Sequence, residues 1–264
     1  YLASYLVRHR EGVQASMWGV CKPIGIAALL VGLLLMQPDF GSAALLIMIT
    51  LGMVWLGGAR LRNLGLLAAL AMPALAWAAL FEEYRLKRLK SFLDPWADPF
   101  NEGFQLTQAL IAVGRGEWFG VGLGASVQKL FYLPEAHTDF ILAVIAEELG
   151  FFGVLLVIAL FAWLVGCGLR IGLRALERGQ RFGGYCAFGV SLMLAIQALV
   201  SIGVNLGVLP TKGLTLPLIS SGGSSVLMTC AAIGLLARVS YELTRAEDAA
   251  AQAVSSPESP GEAE

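Results

Sequence analysis

The segment Tyr132-Leu133-Pro134-Glu135-Ala136-His137-Thr138-Asp139-Phe140-Ile141 places an acid directly before a long apolar run. An acid there caps a helix, which stabilises it by about 1 kcal/mol through a side-chain hydrogen bond and the helix dipole. Two more acids, Glu147 and Glu148, lie inside the apolar run itself. Ionisable groups at membrane depth are costly and usually line a cavity. Glu147 follows Asp139 by two helical turns and a little more, about 80° round the helix, so both can border one cavity. Glu148 falls nearly opposite and is expected to hold helices together. A second polar cluster comprises Asn205, the loop Pro210-Thr211-Lys212-Gly213, and the run Ser220-Ser221-Gly222-Gly223-Ser224-Ser225. Asn205 can hydrogen-bond between helices, and Lys212 can snorkel to headgroups or meet an anion. The Ser/Gly run offers backbone N–H groups and hydroxyls to a phosphate at a helix start, or close helix packing. Carboxylate, cations and hydroxyl-rich loop together suit an anionic lipid substrate such as a lipid pyrophosphate.

These residues need a membrane scaffold to position them. The chain is 57% hydrophobic and 14% charged, against about 25% charged for soluble domains. That excludes an ordinary soluble enzyme. Residues 24–58 are apolar except at Gln37-Pro38-Asp39-Phe40-Gly41. A single helix of that length would exceed about 50 Å, whereas the hydrocarbon core is about 30 Å thick. Two spans are therefore predicted, 24–38 and 40–58, with further spans at 64–81, 140–169, 183–206 and 224–237. The opening YLASYLV reads as the end of another helix, and an amino-terminal portion is expected to precede it. The four cysteines (Cys21, Cys167, Cys186, Cys230) lack metal-site or C-x-x-C spacing and read as buried thiols.

Positive charge sets the orientation. With residues 8–22 in the cytoplasm, the inside loops hold Arg8, Arg10, Lys22, Arg60, Arg62, Arg170, Arg174, Arg178, Arg181, Arg238 and Arg245. The short outside loops hold only Lys212. The segment 82–139 falls outside with Arg85, Lys87, Arg88, Lys90, Arg115 and Lys129. Long loops translocate whatever their charge. Its apolar stretches predict a folded, partly helical cap, as long ordered loops tend to be functional. The tail 246–264 is acidic, lacks bulky apolar side chains, and is expected to be cytoplasmic and disordered. The fold class is thus all-α: a polytopic membrane helix bundle over 1–245 with a large extracytoplasmic loop.

The motifs, in order, resemble the SEDS family (shape, elongation, division and sporulation). They include Gln37-Pro38-Asp39-Phe40-Gly41, Ser91-Phe92-Leu93-Asp94-Pro95-Trp96, Gly103-Phe104-Gln105-Leu106-Thr107-Gln108 and Gly120-Val121-Gly122-Leu123-Gly124. Pro134 to Ile141, Glu147-Glu148-Leu149-Gly150, Asn205-Leu206-Gly207-Val208-Leu209-Pro210 and the Ser/Gly run complete the series. Ala136 and Thr211-Lys212-Gly213 are more similar to the cell-division branch than to the elongation branch. Ser221 stands where the family usually has Tyr.

The resemblance implies a peptidoglycan glycosyltransferase that joins lipid II into β-1,4 glycan strands, with undecaprenyl pyrophosphate leaving. Asp139 matches the family's essential aspartate and would be the general base. Lys212, Glu147, Arg85, Arg88, Ser220, Ser224, Asn205 and His137 are the expected substrate contacts, and a divalent cation (Mg or Mn) is expected at the pyrophosphate. The implied partners are a class B penicillin-binding protein of the FtsI type and divisome proteins of the FtsQ, FtsL and FtsB type, with no nucleic acid. The implied location is the bacterial inner membrane at the division septum. A lipid II flippase is the competing reading, but it needs a hydrophilic path across the bilayer, whereas the polar groups here concentrate on one side. A pure scaffold would leave those groups without a role.

Overall fold

The computed structural model describes residues 1–37, 39–66, 69, 90–101, 103–211 and 213–255. Its principal elements are helices α1 (Leu2–Arg8), α2 (Arg10–Ala15), α3 (Met17–Met36), α4 (Phe40–Leu56), α5 (Phe104–Gly116), α6 (Ile141–Glu177), α7 (Arg181–Asn205) and α8 (Gly223–Ser255). One turn of π-helix (Gln128–Tyr132) lies in the cap, and no strand occurs among the described residues. Four helices are long and apolar enough to cross a membrane: Met17–Met36, Ile141–Glu177, Arg181–Asn205 and the Gly223–Ala249 part of α8. The shorter apolar helix Phe40–Leu56 pairs with the first of them. This is an all-α, multi-pass membrane protein.

Local chemistry sets the helix ends. Ser16 caps α3 by accepting a hydrogen bond from the Trp18 N–H at 3.2 Å. This starts the helix at Met17 rather than at the predicted 24. Asp39 caps α4 by accepting from the Ser42 N–H at 3.0 Å, so the Pro-Asp break does separate two helices. The predicted span 64–81 lies mostly outside the described residues. At the other end of the molecule α6 runs to Glu177 instead of 169. Arg170 and Arg174 fall in its last turns, where cations complement the helix dipole. The tail departs further from expectation, because α8 continues through 246–255. Those residues are mostly Ala, Glu and Gln, good helix formers that extend an existing helix without a new nucleation cost. Arg178 also pairs with Glu247 at 3.1 Å.

The segments assigned to each side by charge meet one another. Val7, Gly179–Gly183, Arg238 and Glu242 line one groove at the end that the charge pattern assigns to the cytoplasm. Residues 137–139, 205, 213 and 220–221 converge at the opposite end.

The centre of the bundle is the antiparallel pair α6–α7. The helix α6 is not continuous: Gly150 has φ 67° and ψ −161° and breaks it. The break frees backbone groups that a bilayer cannot satisfy, and the loop after α5 satisfies them. Val121 and Gly122 donate N–H groups to the carbonyls of Glu147 and Glu148 at 2.9 and 3.1 Å. In return, the carbonyls of Glu117 and Trp118 accept from Phe151 and Phe152 at 2.9 and 3.3 Å. Backbone packs on backbone here, and only glycine permits it. A Cβ on Gly150 would lie 2.4 Å from the Gly120 nitrogen, and one on Gly120 would lie 2.1 Å from the Glu148 carbonyl oxygen.

Candidate active site

Asp139 sits half-buried immediately before α6. Its segment is anchored from below, because Leu133, Ala136 and Phe140 are buried against Ala109, Ala112 and Val204. Glu135 turns the chain with φ 56°, a conformation that costs a non-glycine residue about 1–2 kcal/mol. The carbonyl of Glu135 accepts from the N–H groups of Thr138 and Phe140, both at 3.2 Å. Its carboxylate accepts from the Thr138 hydroxyl at 2.6 Å.

Three successive carbonyls are then held from other parts of the chain. That of His137 accepts from the Ser221 N–H at 3.0 Å and hydroxyl at 2.9 Å. The next, on Thr138, accepts from the Ser220 hydroxyl at 2.5 Å. The third, on Asp139 itself, accepts from the Asn205 carboxamide at 2.8 Å. Ser220 is fixed in turn, since its oxygen accepts from the Leu216 N–H at 2.8 Å. The carboxylate of Asp139 lies against Gly213, where a Cβ would come within 3.3 Å of Oδ2. The loop that carries Pro210 to Gly213 therefore closes on the acid from one side.

Glu147 does something different. It is fully buried, and each of its oxygens takes two donors. One oxygen accepts from Arg115 Nη1 at 2.8 Å and the Val127 N–H at 3.2 Å. Its other oxygen accepts from the Ser126 hydroxyl at 2.5 Å and the Gln128 N–H at 3.3 Å. A buried carboxylate is tolerable only when satisfied in this way. Glu148 pairs with Lys129 at 2.6 Å. The two acids thus fasten the cap segment 115–129 to α6.

Several sequence expectations change as a result. Glu147 does not border a cavity with Asp139, because donors from the cap occupy all of its lone-pair directions. Asn205 and Ser220 are buried and engaged internally, so they act on the backbone of 138–143 and not on a substrate. His137 and Ser224 are exposed, the latter in the first turn of α8. Lys212, Arg85 and Arg88 lie outside the described residues. Among the described residues no group of three or more His, Cys, Asp or Glu is placed to hold a metal ion. The expected divalent cation therefore has no protein cage among those residues. Sequence reading did not count Gly213, Ser221 and Arg115 among the expected site residues. Gly213 and Ser221 carried a local signal, as the small residue beside the loop's lysine and as a member of the Ser/Gly run, whereas Arg115 carried none.

Fold and site together define a polytopic helical membrane protein with a carboxylate fixed at the mouth of one of its spans. The family FTSW_RODA_SPOVE, described as cell cycle protein, matches residues 1–245. The chain belongs to that family. A relative in Xanthomonas oryzae pv. oryzae (strain KACC10331 / KXO85), named probable peptidoglycan glycosyltransferase FtsW, is 60% identical over 247 residues, covering 94% of this chain and 51% of the relative. Its namesake in Thioalkalivibrio sulfidiphilus (strain HL-EbGR7) is 55% identical over 242 residues, covering 92% and 60%. The chain thus spans little more than half the length of these relatives. A solved structure described as "Structural coordination of polymerization and crosslinking by a peptidoglycan synthase complex" matches with TM-score 0.69 and 30% identity, over 90% of this chain and 68% of that one.

Proposed function

We propose that the protein is a peptidoglycan glycosyltransferase that polymerises lipid II at the outer face of the bacterial inner membrane during septal wall synthesis. The observation that carries this reading is the Asp139 carboxylate. It is partly exposed and stands at the mouth of a span, and its carbonyl and the two before it are held by two other segments, Asn205 and Ser220–Ser221. A lipid-anchored sugar would lie at that level. The relatives named FtsW point to the same chemistry.

In the proposed step the acceptor sugar hydroxyl of lipid II attacks the anomeric carbon of the donor glycan. Asp139 takes the hydroxyl proton, a role that needs the carboxylate within hydrogen-bond reach of it. The new β-1,4 bond forms as the bond to pyrophosphate breaks, and undecaprenyl pyrophosphate leaves with the electron pair. Its growing negative charge calls for preorganised positive charge. Lys212, Arg85, Arg88 and the exposed face of Ser224 and His137 are the proposed sources. A divalent cation, when bound, would be held by the pyrophosphate oxygens and would supply charge neutralisation there.

The partner proposed is a class B penicillin-binding protein of the FtsI type, whose single span would lie on α7. Divisome proteins of the FtsQ, FtsL and FtsB type would join it. Support comes from the solved relative, whose description couples polymerisation to crosslinking. The exposed Leu199 on α7 offers an apolar contact for such a span. The test is polymerisation of purified lipid II by the full chain, alone and with a transpeptidase lacking its catalytic serine. Glycan strands from the wild type and none from Asp139→Asn are expected, with a higher rate when the serine-less partner is present. A near wild-type rate from Asp139→Asn would refute the base assignment. Lipid II transport without polymerisation would favour the flippase instead.

A further inference from the structure

We propose that Asn205 is a positioning residue for the Asp139 carboxylate, with its carboxamide linking the Asp139 carbonyl to the first turn of α6. The inference rests on the proposed role of Asp139 as base. Phe140 is the N-cap of α6, and its carbonyl accepts from the Ala143 N–H at 3.0 Å. The same Ala143 N–H and the Asp139 carbonyl are also joined through Asn205. Its Nδ2 donates to the Asp139 carbonyl at 2.8 Å, and its Oδ1 accepts from the Ala143 N–H at 3.0 Å. The second hydrogen on Nδ2 goes to the Ser201 carbonyl at 2.9 Å, within α7.

The carboxamide is therefore wedged into the first turn of α6 and tied down on α7. Asn205 is fully buried, in contact with the cluster that includes Ala143 and Val204. No substrate reaches it. What it controls is the angle at which the backbone of Asp139 enters the helix, and so the direction in which the carboxylate leaves it. Ser220 and Ser221 hold the two preceding carbonyls. With those two fixed, the Asn205 wedge adds a constraint on the residue that carries the acid. Glutamine is one methylene longer and cannot bridge the same two atoms without moving one of them.

A positioning role and a structural role make opposite predictions for Asn205→Ala. Without the wedge, the Ala143 N–H keeps the Phe140 carbonyl as its partner, and the Asp139 carbonyl, on a half-buried residue at the helix mouth, can turn towards water. Both groups stay satisfied, the chain stays folded, and the carboxylate is re-aimed. Displacement of a catalytic group by about 1 Å can cost about 100-fold in rate. The full chain, purified in detergent, should then show kcat for lipid II polymerisation lowered by about 30- to 100-fold. KM should stay within about twofold, since no substrate contact is lost, and the thermal midpoint within a few degrees, since the truncated side chain is small and the backbone groups it held keep partners.

Asn205→Asp preserves shape and the acceptor for Ala143 but removes the donor to Asp139, and should likewise lose kcat. Ser220→Ala deletes only a hydroxyl and should lower kcat several-fold with KM unchanged, while Ser220→Thr restores it. This second pair keeps the proposal testable should an Asn205 variant fail to fold. Wild type and Asp139→Asn run alongside as controls. If Asp139→Asn is dead but Asn205→Ala and Ser220→Ala turn over at the wild-type rate per folded molecule, the positioning role falls and the base assignment stands. If activity falls only in proportion to folded protein, Asn205 is merely structural and the proposal is overturned. Should Asp139→Asn polymerise normally, both fall together.

Discussion

Replacing Glu147 by alanine gives the sharpest test of how the cap is held. The substitution removes the acceptor of four donors: Arg115, the Ser126 hydroxyl, and the N–H groups of Val127 and Gln128. Arg115 is 46% exposed, so water can take over its charge and its loss counts for little. Ser126 and Gln128 are buried at 1% and 7% exposure, and their donors would be left without partners. Each unsatisfied buried donor costs about 1–3 kcal/mol. With Val127 partly exposed and contributing less, the sum is about 3–5 kcal/mol, the range found when one partner of a buried pair is removed. For a chain of this size that lowers the thermal midpoint by roughly 10 °C. The loss should centre on the segment between α5 and the π turn, so limited proteolysis should nick residues 117–127 before any span is cut. Glu147→Gln keeps one oxygen but turns an amide towards two donors, and should show a smaller loss of the same kind. The measurement is thermal unfolding in detergent combined with mapped proteolysis. An unchanged midpoint and cleavage pattern with a raised KM for lipid II would show that Glu147 contacts substrate, and would refute its role as the cap's anchor.

Three further outcomes follow from the same geometry. Gly213→Ala sets a Cβ 3.3 Å from Asp139 Oδ2, so the carboxylate must shift by a few tenths of an ångström. Polymerisation should slow several-fold at unchanged thermal stability, and an unaffected rate would mean the loop does not abut the working carboxylate. Gly150→Ala meets both a φ of 67° and a Cβ within 2.4 Å of the Gly120 nitrogen; a loss of at least about 3 kcal/mol is expected from strain and overpacking. Wild-type yield and midpoint from that variant would argue that α6 is continuous. For topology, Leu123→Cys and Arg178→Cys in a cysteine-free background should differ. The first, 80% exposed in the cap, should react with a membrane-impermeant thiol reagent added outside, and the second should not. Reversed labelling would place Asp139 on the cytoplasmic face.

The sequence showed which residues carry the chemistry better than what each one touches. Asp139 was legible because an acid before an apolar run is a boundary group, although the expected cap is not formed: Phe140 is the N-cap of α6, with no side-chain cap hydrogen bond. The side-chain types of Glu147 and Asn205 were equally visible, and both stood out as polar groups among apolar neighbours. Their roles were hidden, because the partners of Glu147 lie 19 to 32 residues away and the bond from Asn205 to Asp139 spans 66. No local pattern encodes such pairs. The break at Gly150 was invisible for another reason. Glycine in an apolar helix ordinarily signals close packing, and nothing in Glu148-Leu149-Gly150-Phe151 separates that use from a positive φ. The helical extension into 246–255 was obscured by composition, since acidic and alanine-rich sequence fits both a disordered tail and the end of a helix already begun.

The bonds that hold the Asp139 segment also order its assembly in time. The donors to the carbonyls of Thr138 and His137 lie 82 and 84 residues further along the chain, at the threshold of α8. A ribosome must therefore synthesise α6, α7 and the following loop before the first of these donors exists, at about 5–20 residues per second. Until then the carbonyls of His137 and Thr138 wait for those donors, while Asn205 and the packing on Ala109 and Ala112 are available earlier. Insertion of α8 sets Ser220 and Ser221 against the segment. The Asp139 site is thus assembled in stages as the chain is made.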